Sequence, residues 1–147
     1  MRISSTDFQD GQAIPSRFAC DGENVNPTLK FEGVPPGAKS LVIMLEDPDA
    51  PNGTFTHWMA YDMLPDTVEI LTGMEAPGVG LLNGTGKPGY MGPCPPEGTH
   101  RYFFRLFALD ATLAGDKIGS RADLEKAMEG HIMETAELMG TYKKSNP

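Results

Sequence analysis

Cysteine, histidine and positive charge are all scarce in this 147-residue chain. It holds two cysteines, three histidines and one tryptophan, and its 12 Lys and Arg face 20 Asp and Glu, for a formal net charge of −8. Each shortage excludes something. A nucleic-acid partner needs a basic stripe, and none is present, so no nucleic acid is expected. The same charge opposes docking on an anionic membrane surface, so no membrane partner is expected. No run of about 18 apolar residues occurs, and the first residues carry no apolar signal-like segment, which predicts a cytoplasmic protein. There is no GxSxG nucleophile motif and no CxxC pair. Cys20 and Cys94 are expected to be reduced thiols in that compartment, although a disulfide between them stays open.

Glycine and proline are plentiful, at 17 and 13 residues. They are scattered rather than repeated, which predicts many turns and short strands rather than disorder. The hydrophobic fraction of 39% with 22% charged residues is that of an ordinary globular protein, and the length suits one domain over residues 1–147.

The chain seems organised by one stretch, residues 46–61 (EDPDAPNGTFTHWMAY). Residues 41–45 (LVIML) before it read as a buried strand. Pro48 and Pro51 then remove two backbone donors and Asn52-Gly53 supplies a turn, which places Asp47 and Asp49 on a stiff turn at a sheet end. From Thr54 the alternation resumes. It predicts Phe55, His57, Met59 and Tyr61 on one face and Thr56, Trp58 and Ala60 on the other.

The rest of the chain fits around this unit. An edge strand with a turn at Gln9-Asp10-Gly11, a polar loop over residues 21–27, and short strands at 29–32 and 68–71 are expected. Asn52-Gly53-Thr54 and Asn83-Gly84-Thr85 match a glycosylation sequon but read as turns. Residues 73–98 are rich in Gly and Pro with little periodicity, a pattern that fits an ordered loop over a site. Residues 100–109 (HRYFFRLFAL) are apolar on both faces, as in a strand covered on both sides. Residues 120–140 read as one long helix. Ser120 and Asp123 would start it and Gly140 would end it. Leu124, Ala127, Met128, His131, Thr135, Leu138 and Met139 would form its apolar stripe, with His131 structural. Strands followed by one C-terminal helix predict a mainly β, two-sheet antiparallel sandwich with that helix packed on it.

Asp47, His57, His100 and Tyr102, framed by the Gly-Pro loop, are the candidate chemical residues. Arg101 is expected to pair with Asp49. An enzyme reading has some basis, because two histidines and a carboxylate can hold a metal ion or act as an acid–base pair. It ranks below simple binding, so no catalytic residue, metal or cofactor is assigned.

The motifs DPDAP (47–51), His57-Trp58, GPCPP (92–96) and GTHRY (98–102) resemble the phosphatidylethanolamine-binding protein family. The match is with its bacterial and archaeal Raf-kinase-inhibitor-like branch. FACDGENVNPTL (18–29) and AMEGHIMETAELMGTY (127–142) are similar to it as well, so the resemblance covers nearly the whole chain. It implies a two-sheet sandwich with a small anion-binding cavity at one end. The matching site residues are Asp47, His57, His100 and Tyr102, with the loop Gly92, Pro93, Cys94 and Pro95 facing the anion. It also implies a cis Ala50-Pro51 bond and is compatible with a homodimer.

The expected function is therefore non-enzymatic binding of a small phosphorylated or other anionic ligand. The alternative is a protein-binding inhibitor of a serine protease or kinase. Histidine rings, a phenol and backbone N–H groups are suitable donors. Asp47 would orient a histidine rather than touch the anion. Three or four charge-assisted hydrogen bonds at roughly 1.5–3 kcal/mol each barely exceed an association cost of about 4–15 kcal/mol, so bare phosphate should bind weakly. Tyr90, Met91 and Trp58 are candidates to touch an organic portion of the ligand. If histidine charge supports binding, affinity should fall as the pH rises past about 7.

Overall fold

The computed structural model describes residues 1–114 and 117–144. Its elements in chain order are β1 (Arg2–Ser5), a 3-10 turn (Ser16–Phe18), β2 (Leu29–Glu32), β3 (Ser40–Asp47), β4 (Phe55–Met63), β5 (Glu69–Ile70), β6 (Val79–Gly80), β7 (Thr99–Leu109), α1 (Arg121–Met128) and β8 (Ile132–Lys143). A small sheet runs β1-β2-β5 and a larger one β6-β4-β3-β7-β8, with every neighbouring pair antiparallel.

The inner faces of the two sheets meet in one core. Ile3, Leu29, Phe31 and Ile70 from the small sheet pack against Leu41, Ile43, Leu45, Trp58, Phe104 and Leu106 from the large one. The outer face of the large sheet carries a second cluster, in which Val42, Met44, Met59, Tyr61 and Leu109 receive Leu124 and Met128 of α1. β3 is thus covered on both sides. This explains why its sequence is an unbroken apolar run rather than an alternation.

The sandwich with a packed helix is as expected, but the extent of that helix differs. Ser120 caps α1 by accepting the Asp123 backbone N–H, yet the helix lasts only eight residues. Gly130, at φ 78°, turns the chain out of it, and residues 132–143 form a long strand on β7. The residues that mimicked a helical stripe also alternate. Ala136, Leu138 and Tyr142 face the core, with Gly140 in register between the last two. Gly140 is consequently no helix terminator. A β-carbon there would lie 2.4 Å from the Ile14 side chain, so the position admits only glycine. His131 is likewise not on an apolar face. It is half exposed and its Nδ1 pairs with Asp110 at 2.8 Å.

Candidate functional site

β3, β4 and β7 place the candidate residues together. Asp47 ends β3, His57 lies near the start of β4, and His100 and Tyr102 lie near the start of β7. Because the strands are antiparallel neighbours, these positions share one end of the large sheet.

A β-bulge decides where His57 points. Leu45 pairs with Trp58 and Glu46 with Thr56, which leaves His57 as an extra residue with no partner on β3. A bulge resets the alternation and re-aims a side chain. Before it, Phe55 pairs with Asp47 on the inner face; after it, Met59 and Tyr61 face outward. Phe55 and His57 therefore do not share the face of Met59 and Tyr61, as strict alternation predicts. His57 instead lies inward, its ring 4.9 Å from Phe55 and 5.4 Å from Tyr102, edge to face in both cases.

The hydrogen bonds fix the roles of the ring nitrogens. His57 Nδ1 donates to the Met91 carbonyl at 2.8 Å, since a carbonyl can only accept. His100 Nδ1 meets Asp47 Oδ2 at 2.7 Å, while Asp47 Oδ1 accepts the Asp49 backbone N–H. Asp47 thus holds His100, and each histidine turns its Nε2 away from its anchor. Burial lowers the pKa of His57, and this outweighs the opposing effects of the Met91 carbonyl and the Asp47 charge. His57 is accordingly a neutral ring at pH 7.

Tyr102 lies between the two rings, 5.4 Å from His57 and stacked 6.4 Å from His100. It is fully buried, and its hydroxyl is the one buried side-chain polar atom without a hydrogen-bond partner among the described residues. Burial pushes its phenol pKa up, assisted by the nearby Asp47 carboxylate. His57 and Tyr102 are sealed from solvent, so the route inward runs past His100, whose side chain keeps 10% exposure. The cluster is not one of the large hollows of the surface, which measure about 610, 500 and 450 Å³ and are lined by other residues.

The loop over the site is fastened at several points. Cys94 is disulfide-bonded to Cys20, in place of the reduced thiols expected from the sequence. The Cys20 N–H bonds to the Pro93 carbonyl, and the Tyr90 hydroxyl to the Phe18 carbonyl. The Gly92 N–H is engaged by Asn24 Oδ1 at 2.7 Å. Pro93, Pro95 and Pro96 have no N–H, so Cys94, whose backbone lies beside the Tyr102 hydroxyl, supplies the remaining backbone donor of this loop. The Ala50-Pro51 bond is trans, contrary to expectation. Arg101 binds Asp49 through Nε and Nη2, both at 2.9 Å, and holds that carboxyl at about 2, with the guanidinium hydrogen bond as the main cause.

Two contributors were not singled out from the sequence. The Met91 carbonyl orients His57, and Asn24, in the left-handed region at φ 59°, ties down Gly92. A backbone carbonyl leaves no signal in a sequence. Asn24 left a weak one, because asparagine tolerates that conformation. Among the described residues no group of three or more His, Cys, Asp and Glu is placed to hold a metal ion, and no helix is long and apolar enough to cross a membrane.

A two-sheet sandwich with an Asp, two His and a Tyr at one sheet end defines a class, and comparison with known proteins identifies it. The model of the phosphatidylethanolamine-binding protein family matches residues 4–143. The chain belongs to that family. A UPF0098 protein of Methanothermobacter thermautotrophicus is 45% identical over 98% of this chain and 99% of its own. The crystal structure of a phosphatidylethanolamine-binding protein homologue from Chlamydia trachomatis superposes with a TM-score of 0.93 at 41% identity, over 98% of this chain and 97% of that one. E. coli YbcL, at 24% identity and a TM-score of 0.86 over 98% of both chains, shares the fold.

Proposed function

We propose that this protein binds the oxyanion of a small phosphorylated or otherwise anionic compound at Tyr102, His57, His100 and the Cys94 N–H, without transforming it. The observation that carries this reading is the buried Tyr102 hydroxyl with no partner. An unsatisfied buried hydroxyl costs about 1–3 kcal/mol, a cost that a ligand oxygen would remove. The two free Nε2 atoms and the Cys94 N–H converge around the same point. Asp47 acts on the anion only through His100, because both its oxygens are already engaged.

Isothermal titration with inorganic phosphate tests the proposal. Tyr102→Phe and His57→Ala should each weaken binding by about tenfold or more, the loss of one charge-assisted hydrogen bond. Unchanged affinity in both variants would refute the site. Inhibition of serine proteases or kinases that His57→Ala leaves intact would favour the protein-binding alternative instead. The disulfide also bears on the setting. A reducing cytosol opens accessible disulfides, so the cytoplasmic location we propose requires that Cys20–Cys94 resist thiols, and free-thiol titration with and without glutathione measures that.

A further inference from the structure

β8 is an edge strand, and only half of its open edge is covered. The chain itself covers the end nearer its C-terminus. Residues 11–14 lie along it, with Gly11 N–H to the Met139 carbonyl, Ile14 N–H to the Thr141 carbonyl and Thr141 N–H to the Gln12 carbonyl. Asp10 Oδ1 then accepts the Met139 N–H, and there the covering segment leaves the edge. Backbone groups of alternate residues point to the same side of an antiparallel strand. Since 139 and 141 point outward, 137 and 135 do too. Among the described residues nothing pairs with them.

Two hollows flank this open half, one on each face. On the outer side about 610 Å³ lies between α1 and the sheet. Met128 and Ile132 give it apolar surface, and Glu46, Glu125, Glu129 and Glu137 outnumber Arg105 and Arg121. On the inner side about 500 Å³ opens over Ile3, Phe8 and Leu138, between β8 and the edge of β1. Glu137 borders both. A strand laid along residues 133–137 would send alternate side chains into the two spaces.

We propose that this half-edge is a docking site for an extended segment of another protein in which basic and apolar residues alternate. Its backbone continues the sheet at Thr135 and Glu137, as residues 11–14 already do further along. Its apolar side chains enter the hollow over Ile3, Phe8 and Leu138. Its basic side chains lie over the carboxylates on the α1 side, with their aliphatic stems on Met128 and Ile132. This is strand addition, in which main-chain bonds supply affinity and alternate pockets supply selectivity. A second copy of this chain is a poor occupant, since pairing β8 with itself would bring Glu134 and Glu137 against their own counterparts. The surface is separate from the oxyanion site and does not depend on it.

An acetylated seven-residue peptide alternating lysine and valine, titrated into the full chain, tests the proposal. Amide exchange at Thr135 and Glu137 should slow by about tenfold or more. Thr135→Pro removes one outward N–H, and glutamate in place of lysine reverses the charge. Each should weaken binding by about tenfold or more, and Thr135→Pro should leave phosphate titration unchanged. Should Thr135→Pro fail to fold, the exchange data on the unaltered chain decide the matter. No peptide binding at millimolar concentration, protection at another edge, or affinity insensitive to the peptide's charge would overturn the proposal. So would dimerisation in sedimentation that Thr135→Pro abolishes, which would make a second copy the occupant.

Discussion

At Tyr102 stability and binding pull in opposite directions. Its hydroxyl is buried without a partner, so removing it should cost the empty protein nothing. Tyr102→Phe is expected to keep or raise the melting temperature while losing phosphate affinity; a calorimetric melt paired with a phosphate titration measures both. A purely structural tyrosine would give the reverse, a lower melting temperature with unchanged affinity. His57 adds a pH signature. Burial holds its folded-state pKa below the ordinary 6.5, so the empty site is neutral at pH 7. An oxyanion bound against Nε2 requires a proton on the ring or on the ligand, so binding at pH 7.5 should take up a proton. Titrations in buffers of different ionisation enthalpy report that uptake. Affinity should fall by up to about tenfold per pH unit, starting below 6.5. The same shift acts on folding. The unfolded chain holds this proton more tightly, so the contribution of His57 to stability is complete above 6.5 and declines as the pH falls below it. Phosphate should offset the decline, and His57→Ala should abolish that part of the pH dependence.

The same sequence signals were reliable for some elements and misleading for others. Residues 100–109 were legible as a doubly covered strand because their apolar residues fall on both faces, and the structure uses both. The run 41–45 was legible for the same reason. Residues 120–140 misled because alternation and helical spacing overlap wherever apolar residues are dense, and because the Ser120 cap signals where a helix starts and not where it stops. Pairing with β7 over eleven residues overrode local preference in the second half. The His57 bulge was not legible at all, since a strand's register is set by its neighbour. Gly140 tests the corrected assignment. Beyond a helix, alanine there would be tolerated; in β8 its methyl meets Ile14 and Phe8. Gly140→Ala should destabilise the protein by about 1–3 kcal/mol in urea denaturation, and a neutral result would contradict the strand packing.

On the scale of the whole molecule, the candidate site stands where distant segments are tied together. Asp47, His57, His100 and Tyr102 come from three strands, and the loop over them is anchored to the region around the 3-10 turn by Asn24, Tyr90 and Cys20–Cys94. The four site side chains and the loop were legible as a set because their motifs resemble one family. The pairing of Cys20 with Cys94 was not, because two cysteines in a sequence do not declare their redox state. The disulfide closes a loop of 74 residues, for which chain entropy gives about 4 kcal/mol. Reduction should therefore lower the melting temperature and weaken phosphate binding together, and a thermal melt with and without dithiothreitol measures the first effect. The central claim is that the space beside the Tyr102 hydroxyl holds an oxyanion, and a crystal structure at saturating phosphate tests it most directly. The account predicts a phosphate oxygen within about 3 Å of Tyr102 Oη, with His57 Nε2 and the Cys94 N–H as further donors. A structure in which that hydroxyl bonds to protein or water alone, with phosphate bound elsewhere or not at all, would contradict it.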